Sequence, residues 1–140
     1  MPAMDKSIQD FIRKHHVMTL ATLSGGAPHC SNLFYAWDGT QFVVTSEAST
    51  QHAQDVLVNS TVASSIVLET HAVGKIQGLQ LRGVMFRPTG PELAQAKKTY
   101  LKAFPFAIFM NLDLWIITPT HAKLTDNRLG FGKKLVWTKE

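Results

Sequence analysis

Apolar and polar residues alternate with a period of two over long stretches of the chain, a pattern typical of β-strands. The clearest runs are residues 17–24 and 28–37, which the Gly25-Gly26 pair joins as a hairpin. A third run, 41–46, follows the turn signal Asp38-Gly39. Together these segments predict an antiparallel meander near the N-terminus.

The rest of the chain contains further β-like runs separated by turn residues. We predict strands at residues 62–69, 79–87, 112–118, 121–126 and 135–138. Residues 71–78 contain two glycines and predict a loop or an irregular edge.

Three segments have apolar residues at helical spacing. In the first, Ile8, Phe11 and Ile12 share one face, and the others span 50–59 and 92–103. Because these helices only connect strands, and short turns join the first three strands, the pattern predicts a mainly β fold. We expect a small antiparallel barrel rather than a Rossmann fold.

The composition fits one globular domain covering residues 1–140. Of the 140 residues, 45% are hydrophobic and 17% are charged, so the chain can form a core without metals or disulfides. Its single cysteine, Cys30, cannot form an intramolecular disulfide. There is no cationic leader, and no apolar run approaches the roughly 20 residues of a membrane span. We therefore predict a cytoplasmic protein with no membrane partner.

The charge balance favours anionic partners. Lys and Arg number 14 against 10 Asp and Glu, a formal net charge of +4. The basic residues are scattered apart from short groups such as Lys97-Lys98 and Lys133-Lys134, and no nucleic-acid-binding motif accompanies them. This predicts a small anionic ligand and no nucleic-acid partner.

A hydroxyl-rich turn follows the third predicted strand. Thr45 and Ser46 end that strand, and Ser49 and Thr50 lie at the start of the next predicted helix. A helix N-terminus has unpaired N–H groups and about half a positive charge, so a phosphate fits there without its own arginine. The alternative interpretation is an ordinary helix cap.

No residue stands out as catalytic. The six histidines lack metal-ligand spacing, so no metal site is predicted, whereas haem remains an alternative because one axial histidine can hold it. We predict that Cys30 is a buried strand residue rather than a nucleophile. The segment from Gly130 to Lys134 combines flexible backbone with two cations, and it is either an anion cradle or the solvated tip of a bent hairpin.

Several short motifs resemble those of one bacterial family. They are Asn32-Leu33-Phe34-Tyr35, Thr50-Gln51-His52-Ala53-Gln54, Leu81-Arg82-Gly83-Val84, Ala103-Phe104-Pro105 and, most specifically, the run from Leu124 to Lys134. On these motifs the chain resembles the UPF0306 (YhbP-like) family within the pyridoxamine 5'-phosphate oxidase-like FMN-binding split barrels. The resemblance covers nearly the whole chain and implies a split antiparallel β-barrel.

The resemblance also implies a homodimer with FMN sites at the subunit interface, and an FMN-dependent oxidoreductase of unknown substrate. It assigns residues to the cofactor by position. The ring is bordered by Asn32, Leu33, Phe34 and Tyr35, the ribityl chain by Thr45 and Ser46, the phosphate by Ser49, Thr50 and Gln51, and the ring edge by Gln77 or Gln80.

One departure from the family pattern concerns charge. Many flavin-binding relatives have an Arg-Lys pair where this chain has Thr50-Gln51. Charge-assisted hydrogen bonds are about twice as strong as neutral ones, so the loss of this pair weakens FMN binding. Protonated His52, or Lys133 and Lys134 of the same or a partner subunit, could supply the missing charge. Otherwise the alternative is a non-enzymatic module on the same fold that holds flavin, haem, another anionic ligand or none.

Overall fold

The computed structural model of the protein describes residues 3–139. Within this part of the chain seven strands form one antiparallel sheet: β1 (Val17–Ser24), β2 (Ala27–Trp37), β3 (Phe42–Thr45), β4 (Thr61–Val67), β5 (Gln77–Phe86), β6 (Leu114–Asp126) and β7 (Lys134–Thr138). The α-helices are α1 (Lys6–Lys14), α2 (Gln51–Val58) and α3 (Gly90–Ala103). Short 3₁₀ turns occur at Val73–Lys75, Pro105–Phe109 and Asn127–Leu129.

Strand β6 closes the sheet into a barrel. The strand order is β3-β2-β1-β4-β5-β6-β7, and β3 pairs in addition with the start of β6, from Phe42↔Ile117 to Thr45↔Leu114. Farther along β6, the edge of β6 that pairs with β3 pairs with β7 instead. The mainly β fold and the split antiparallel barrel predicted from the sequence are confirmed.

The predicted meander is present where alternation and turn chemistry agree. β1 has the predicted bounds, and it pairs with β2 from Val17↔Phe34 to Ser24↔Ala27. Gly25 and Gly26 between them have φ of 61° and 79°, the left-handed region in which glycine is favoured.

β6 is one continuous strand, so the prediction of two strands at 112–118 and 121–126 is wrong. Pro119, which falls between the two predicted strands, lies at a register shift where β6 has one extra residue, Thr120, opposite β5. A β-bulge accommodates proline because the ladder is already interrupted there, and the missing N–H removes no regular hydrogen bond.

Strands β5 and β6 approach each other closely beside this bulge. A Cβ atom at Gly83 would lie 2.6 Å from the carbonyl oxygen of Thr118, closer than real Cβ atoms come. At Gly78, on the same strand, the nearest atoms would be 3.9 Å away. The bulge therefore depends on a residue without a side chain at position 83.

Two apolar clusters hold the fold together. The larger fills the barrel with side chains from β1 to β6, such as Phe42 and Trp115, and receives Ile8 and Ile12 from α1. The smaller lies beneath α3, where Tyr100 and other side chains pack on the outer face of β2, β3 and the start of β6. α3 thereby forms a wall beside the end of β3. No helix among residues 3–139 is long and apolar enough to cross a membrane.

Candidate functional site

The hydroxyl-rich turn between β3 and α2 is anchored to the barrel core. Ser46 N donates to Asp113 O at 2.9 Å, and Trp115 Nε1 donates to Ser46 O at 2.9 Å. Trp115 is fully buried, so its indole ties the turn to the interior of the barrel. The turn that the sequence indicated as an anion site therefore has a defined geometry.

Thr50 is the N-cap of α2. Its Oγ1 accepts a hydrogen bond from Ala53 N at 3.3 Å and donates to Glu47 O at 2.8 Å. The N–H groups of Gln51 and His52 precede the first bond within the helix, and the first turn contains no acidic side chain. The cap and the open N–H groups coexist, so both interpretations of this turn are compatible with the structure.

Most hydroxyls of the turn bond within the protein. Ser46 is buried, its Oγ lies 3.1 Å from Thr50 Oγ1, and a hydrogen bond joins it to His52 Nε2. Thr45 Oγ1 lies 3.4 Å from the hydroxyl of Tyr100. Ser49, by contrast, is exposed, and its side chain has no hydrogen-bond partner among the described residues. Of the four predicted hydroxyls, Ser49 offers the most open one to a ligand.

The charge of the turn is unfavourable for an anion within one subunit. Glu47 is acidic, and His52 is the one residue of 45–52 that can carry positive charge. Burial of His52, and then the nearby His29, lower its pKa from the ordinary value of 6.5, against a smaller opposing effect of Asp55. His52 is therefore neutral at pH 7, and the protonated His52 invoked from the sequence is disfavoured.

Gln51 is committed to a buried carboxylate. Its Nε2 donates to Asp55 Oδ1 at 2.8 Å, and Thr22 Oγ1 donates to Asp55 Oδ2 at 2.8 Å. Because both oxygens of this carboxylate have donors, its burial is compensated and α2 is held against β1. The Gln51 side chain is thus engaged, and its backbone N–H is the group left open for a ligand.

Aromatic side chains form a wall next to this turn. The rings of Phe34 and Phe104 meet edge to face with centroids 5.8 Å apart, and those of Tyr100 and Phe104 lie 5.0 Å apart. The Thr45 hydroxyl completes the group through Tyr100. We call Phe34, Thr45, Tyr100 and Phe104 the aromatic corner. Phe34 is 59% exposed, so one ring of this corner is open to a ligand.

Alternation along β2 separates the four residues predicted to border a ring. Tyr35 points inward, where its hydroxyl donates to Ile12 O at 2.6 Å, and burial raises the pKa of Tyr35. Leu33 packs against the barrel core. Asn32 and Phe34 are exposed on the outer face. Only these two can offer side chains to a ligand outside the barrel.

A second concave surface lies on the outer face of the barrel, and we call it the outer groove. It measures about 480 Å³ and crosses β1, β2, β4, β5 and β6. Small side chains such as Ala21 and Ala63 form its floor. Polar and charged side chains flank this floor, among them Cys30, Gln80, Arg82, His121 and Lys123.

Cys30 is exposed, so its predicted burial is wrong. Successive strand residues face opposite sides, and Cys30 is on the outer side, in the outer groove. The same rule separates the two glutamines predicted at a ring edge. Gln80 lines the outer groove, whereas Gln77 is buried on the other face of β5. Only Gln80 can reach a ligand on the outer face.

The C-terminal turn lies far from the hydroxyl-rich turn within one subunit. Lys133 and Lys134 lead into β7, which pairs with the far end of β6 at Thr125, whereas Leu114 at the near end pairs with Thr45. At about 3.3 Å per residue the intervening strand is roughly 35 Å long, beyond the reach of a lysine side chain. In a single chain these lysines cannot compensate the missing Arg-Lys pair.

The residues before those lysines shape the turn. Arg128 Nη2 donates to Asp126 Oδ2 at 2.9 Å, and hydrogen bonds from Arg128 lower the pKa of Asp126. Asn127 Oδ1 accepts from Gly132 N at 2.9 Å, and Asn127 Nδ2 donates to Val73 O at 2.9 Å. Asp126 and Asn127 are therefore turn formers.

One histidine is well placed for a ligand in the outer groove. His121 is half-buried, and its Nδ1 lies 3.2 Å from Thr138 Oγ1, which leaves Nε2 available. It pairs across the strands with Arg82, and Lys123 lies on the same face. Among residues 3–139, no group of three or more His, Cys, Asp or Glu side chains is placed to hold a metal ion.

Sequence reasoning missed Arg82, His121, Lys123 and Tyr100 as site residues. Alternation alone places Gln80 and Arg82 on one face of β5. Their partners on β6 depend on the extra residue of the bulge, which shifts the register by one. No local signal in the sequence indicates that register.

Comparisons with known proteins agree on the family. The profile of the Pyridoxamine 5'-phosphate oxidase family matches residues 4–122. A UPF0306 protein from Serratia proteamaculans is 35% identical over 136 residues, which cover 96% of this chain and 94% of the relative.

Solved structures share the fold. A haem binding protein from Mycobacterium smegmatis superposes with a TM-score of 0.82 at 23% identity, over 99% of this chain and 59% of the larger protein. A FAD-binding protein from Mesorhizobium loti gives 0.72 at 11% identity, over 84% of this chain and 89% of its own. At these identities the likeness shows the fold alone.

Proposed function

Because the chain belongs to the pyridoxamine 5'-phosphate oxidase family, and within it to the UPF0306 proteins, we propose that it binds FMN at the interface of a homodimer. We further propose that it is a flavin-dependent oxidoreductase. The ring of the flavin lies against the aromatic corner in this proposal, and its phosphate lies at the start of α2.

One observation carries the proposal: the aromatic corner is continuous with the open start of α2. Thr45 belongs to the corner and directly precedes the hydroxyl-rich turn. Ligand sites combine apolar walls with a few well-placed polar groups. The exposed ring of Phe34 supplies the wall, and the N–H groups of Gln51 and His52, with the hydroxyl of Ser49, supply the donors.

The phosphate would be held by neutral donors within one subunit. Helix N–H groups accept a phosphate without a cation, so the site fits the group, although more weakly than one with charge-assisted bonds. We propose that Lys133 and Lys134 of a second subunit add the missing charge. Both are exposed, and neither forms an ion pair with the described residues. FMN affinity should then fall with rising salt.

Bound FMN would supply the electron or hydride transfer. The side chains described here would hold the phosphate, orient the ring and shield one of its faces. This division of work explains why the sequence presents no recognisable set of catalytic side chains.

An exposed apolar segment after α3 supports the homodimer. Phe106 and Phe109 are 85% and 88% exposed, and Ile108 and Met110 are each 65% exposed. So many large apolar side chains in one short segment are typical of a protein interface. Replacing Phe106 and Phe109 together by serine should shift the protein towards monomer in analytical ultracentrifugation. An unchanged dimer would place the interface elsewhere.

The flavin proposal is tested by the absorption spectrum of the purified protein after incubation with FMN and desalting. Retained flavin bands at about one per subunit would support it. Riboflavin, which lacks the phosphate, should be retained less. A protein that retains neither compound would refute flavin binding.

A second candidate, haem, is favoured by the outer groove. His121 presents a free Nε2, and its Nδ1 has a partner, as is usual for metal-ligating histidines. Arg82 and Lys123 would pair with the propionates. Titration with haemin should then give a Soret shift that His121→Ala abolishes and His71→Ala, at an exposed loop position, preserves. Equal spectra for both variants would exclude His121 as a ligand.

A further inference from the structure

A basic cleft lies between α1, the β2–β3 turn and α3. It has a volume of about 540 Å³, and its lining includes Arg13, Trp37, Asp38, Lys98 and Lys102. The cations come from segments far apart in the sequence, so no local motif indicates them. We call this surface the basic cleft.

The three cations of the basic cleft have no acidic partner in the part of the chain that the structure describes. The ion pairs among residues 3–139 are Lys6–Asp10, Arg87–Asp113 and Arg128–Asp126, and none involves them. Lys98 and Lys102 are four residues apart on α3, a like-charge spacing that destabilises a helix. Positive charge is thus gathered here without internal compensation, which favours a bound anion.

The single carboxylate of the cleft is used by the turn. Asp38 Oδ1 accepts from Thr40 N at 2.8 Å and from Gln41 N at 2.7 Å. These bonds form the β2–β3 turn, in which Gly39 has a φ of 104°. Arg13 Nη2 lies beside this turn, 3.7 Å from where a Cβ of Gly39 would be. The cleft therefore keeps a positive balance.

Trp37 gives the basic cleft an aromatic side. Its Nε1 donates to Gln9 Oε1 at 2.7 Å, and its ring packs on Phe42 with centroids 4.5 Å apart. These contacts hold the half-buried indole in place. The cleft volume falls in the range of about 300–1,000 Å³ that is typical of small-molecule sites, so it has room for an organic group beside the anion.

We propose that the basic cleft binds a small molecule that carries a phosphate group and an aromatic part, with the phosphate between Arg13, Lys98 and Lys102 and the aromatic part against Trp37. This site does not rest on the flavin proposal. Lys98 and Lys102 are each two residues from Tyr100 of the aromatic corner. Two residues correspond to a rotation of roughly 200° around the axis of α3, so both lysines lie on the side of the helix opposite Tyr100.

The test uses phenyl phosphate and inorganic phosphate as probes, titrated calorimetrically into the full-length protein at fixed ionic strength. Phenyl phosphate should saturate at one per chain and bind at least tenfold more tightly than inorganic phosphate. The double variant Lys98→Ala/Lys102→Ala should weaken phenyl phosphate binding at least tenfold. Equal affinity for the two probes would overturn the role of Trp37.

Lys97→Ala is the matched control, because Lys97 is exposed on the same helix but does not line the basic cleft. It should leave phenyl phosphate affinity within twofold. If Lys97→Ala lost as much phenyl phosphate affinity as the double variant, the effect would come from the general surface charge, and the proposed site would be refuted. Saturating riboflavin, which lacks the phosphate that the basic cleft requires, should not displace phenyl phosphate. Displacement would show that phenyl phosphate binds at the flavin site and would refute a second site.

Discussion

Replacing Ser49 by glutamate is expected to stabilise the folded protein and to weaken FMN binding at the same time. Ser49 is exposed and directly precedes Thr50, the N-cap of α2. A carboxylate near a helix N-terminus is favourable by about 0.3–1 kcal/mol. The same carboxylate would repel a phosphate bound at the N–H groups that follow. A general loss of structure would lower both the stability and the FMN affinity. Higher stability together with lower FMN affinity therefore identifies the phosphate position.

The size of the repulsion follows from Coulomb's law. A phosphate monoester carries a charge of about −2 at neutral pH. At roughly 6 Å and an effective dielectric constant of about 40–80, a neighbouring carboxylate raises the binding free energy by about 1.4–2.8 kcal/mol. This corresponds to a Kd about 10- to 100-fold higher for Ser49→Glu.

The assay is a fluorescence titration with FMN and riboflavin, together with thermal unfolding of each variant. Ser49→Gln is the control, because it has the size of glutamate without the charge. Riboflavin should bind both variants equally, and the FMN difference should shrink at high salt. If FMN bound Ser49→Glu and Ser49→Gln equally well while the glutamate raised the Tm, the phosphate would not lie at α2.

Three further predictions concern stability. Gly83→Ala should destabilise the protein by about 1–3 kcal/mol in chemical denaturation because its Cβ would strike the main chain of β6, whereas Gly78→Ala should change little; similar values would contradict the close approach. Thr22→Val should cost about 1–3 kcal/mol by leaving one oxygen of buried Asp55 without its donor, and a neutral result would mean that water replaces it. The lowered pKa of His52 means that the unfolded chain binds more protons below pH 6.5, so stability should fall as the pH drops below that value. His52→Gln should flatten this decline in Tm, and an equally steep decline would assign it to other groups.

The strands were predictable where side-chain alternation and turn residues agreed. The bounds of β1 follow from its alternation and from Gly25-Gly26, which can adopt the positive φ that a two-residue hairpin needs. β6 was predicted as two strands, and Pro119, a residue that strand interiors rarely contain, falls between them. The bulge that tolerates this proline depends on Gly83, on another strand, and therefore has no signal near position 119.

The candidate site was predictable only as far as its local part. The hydroxyls near Thr50 and the cap of α2 follow from adjacent residues. Whether Lys134 can reach them depends on how the barrel closes, which is a long-range property. Cys30 was misjudged because alternation tells which residues share a face but not which face is inward. Arg13 and Lys98 line the same cleft only because α1 and α3 both lie beside the β2–β3 turn.

Barrel closure has a consequence for how the chain folds. β1, β2 and β3 pair with immediate sequence neighbours and can form hairpins early. The pairing of β3 with β6, at Phe42 and Ile117, forms only after the much later β6 has been synthesised. Pairing between such distant segments is slow, because loop-closure entropy is lost before the contacts form. Until β6 arrives, the edge of β3 has unpaired N–H and C=O groups. Aggregation during synthesis should therefore begin at β3, a strand that is sealed in the finished barrel.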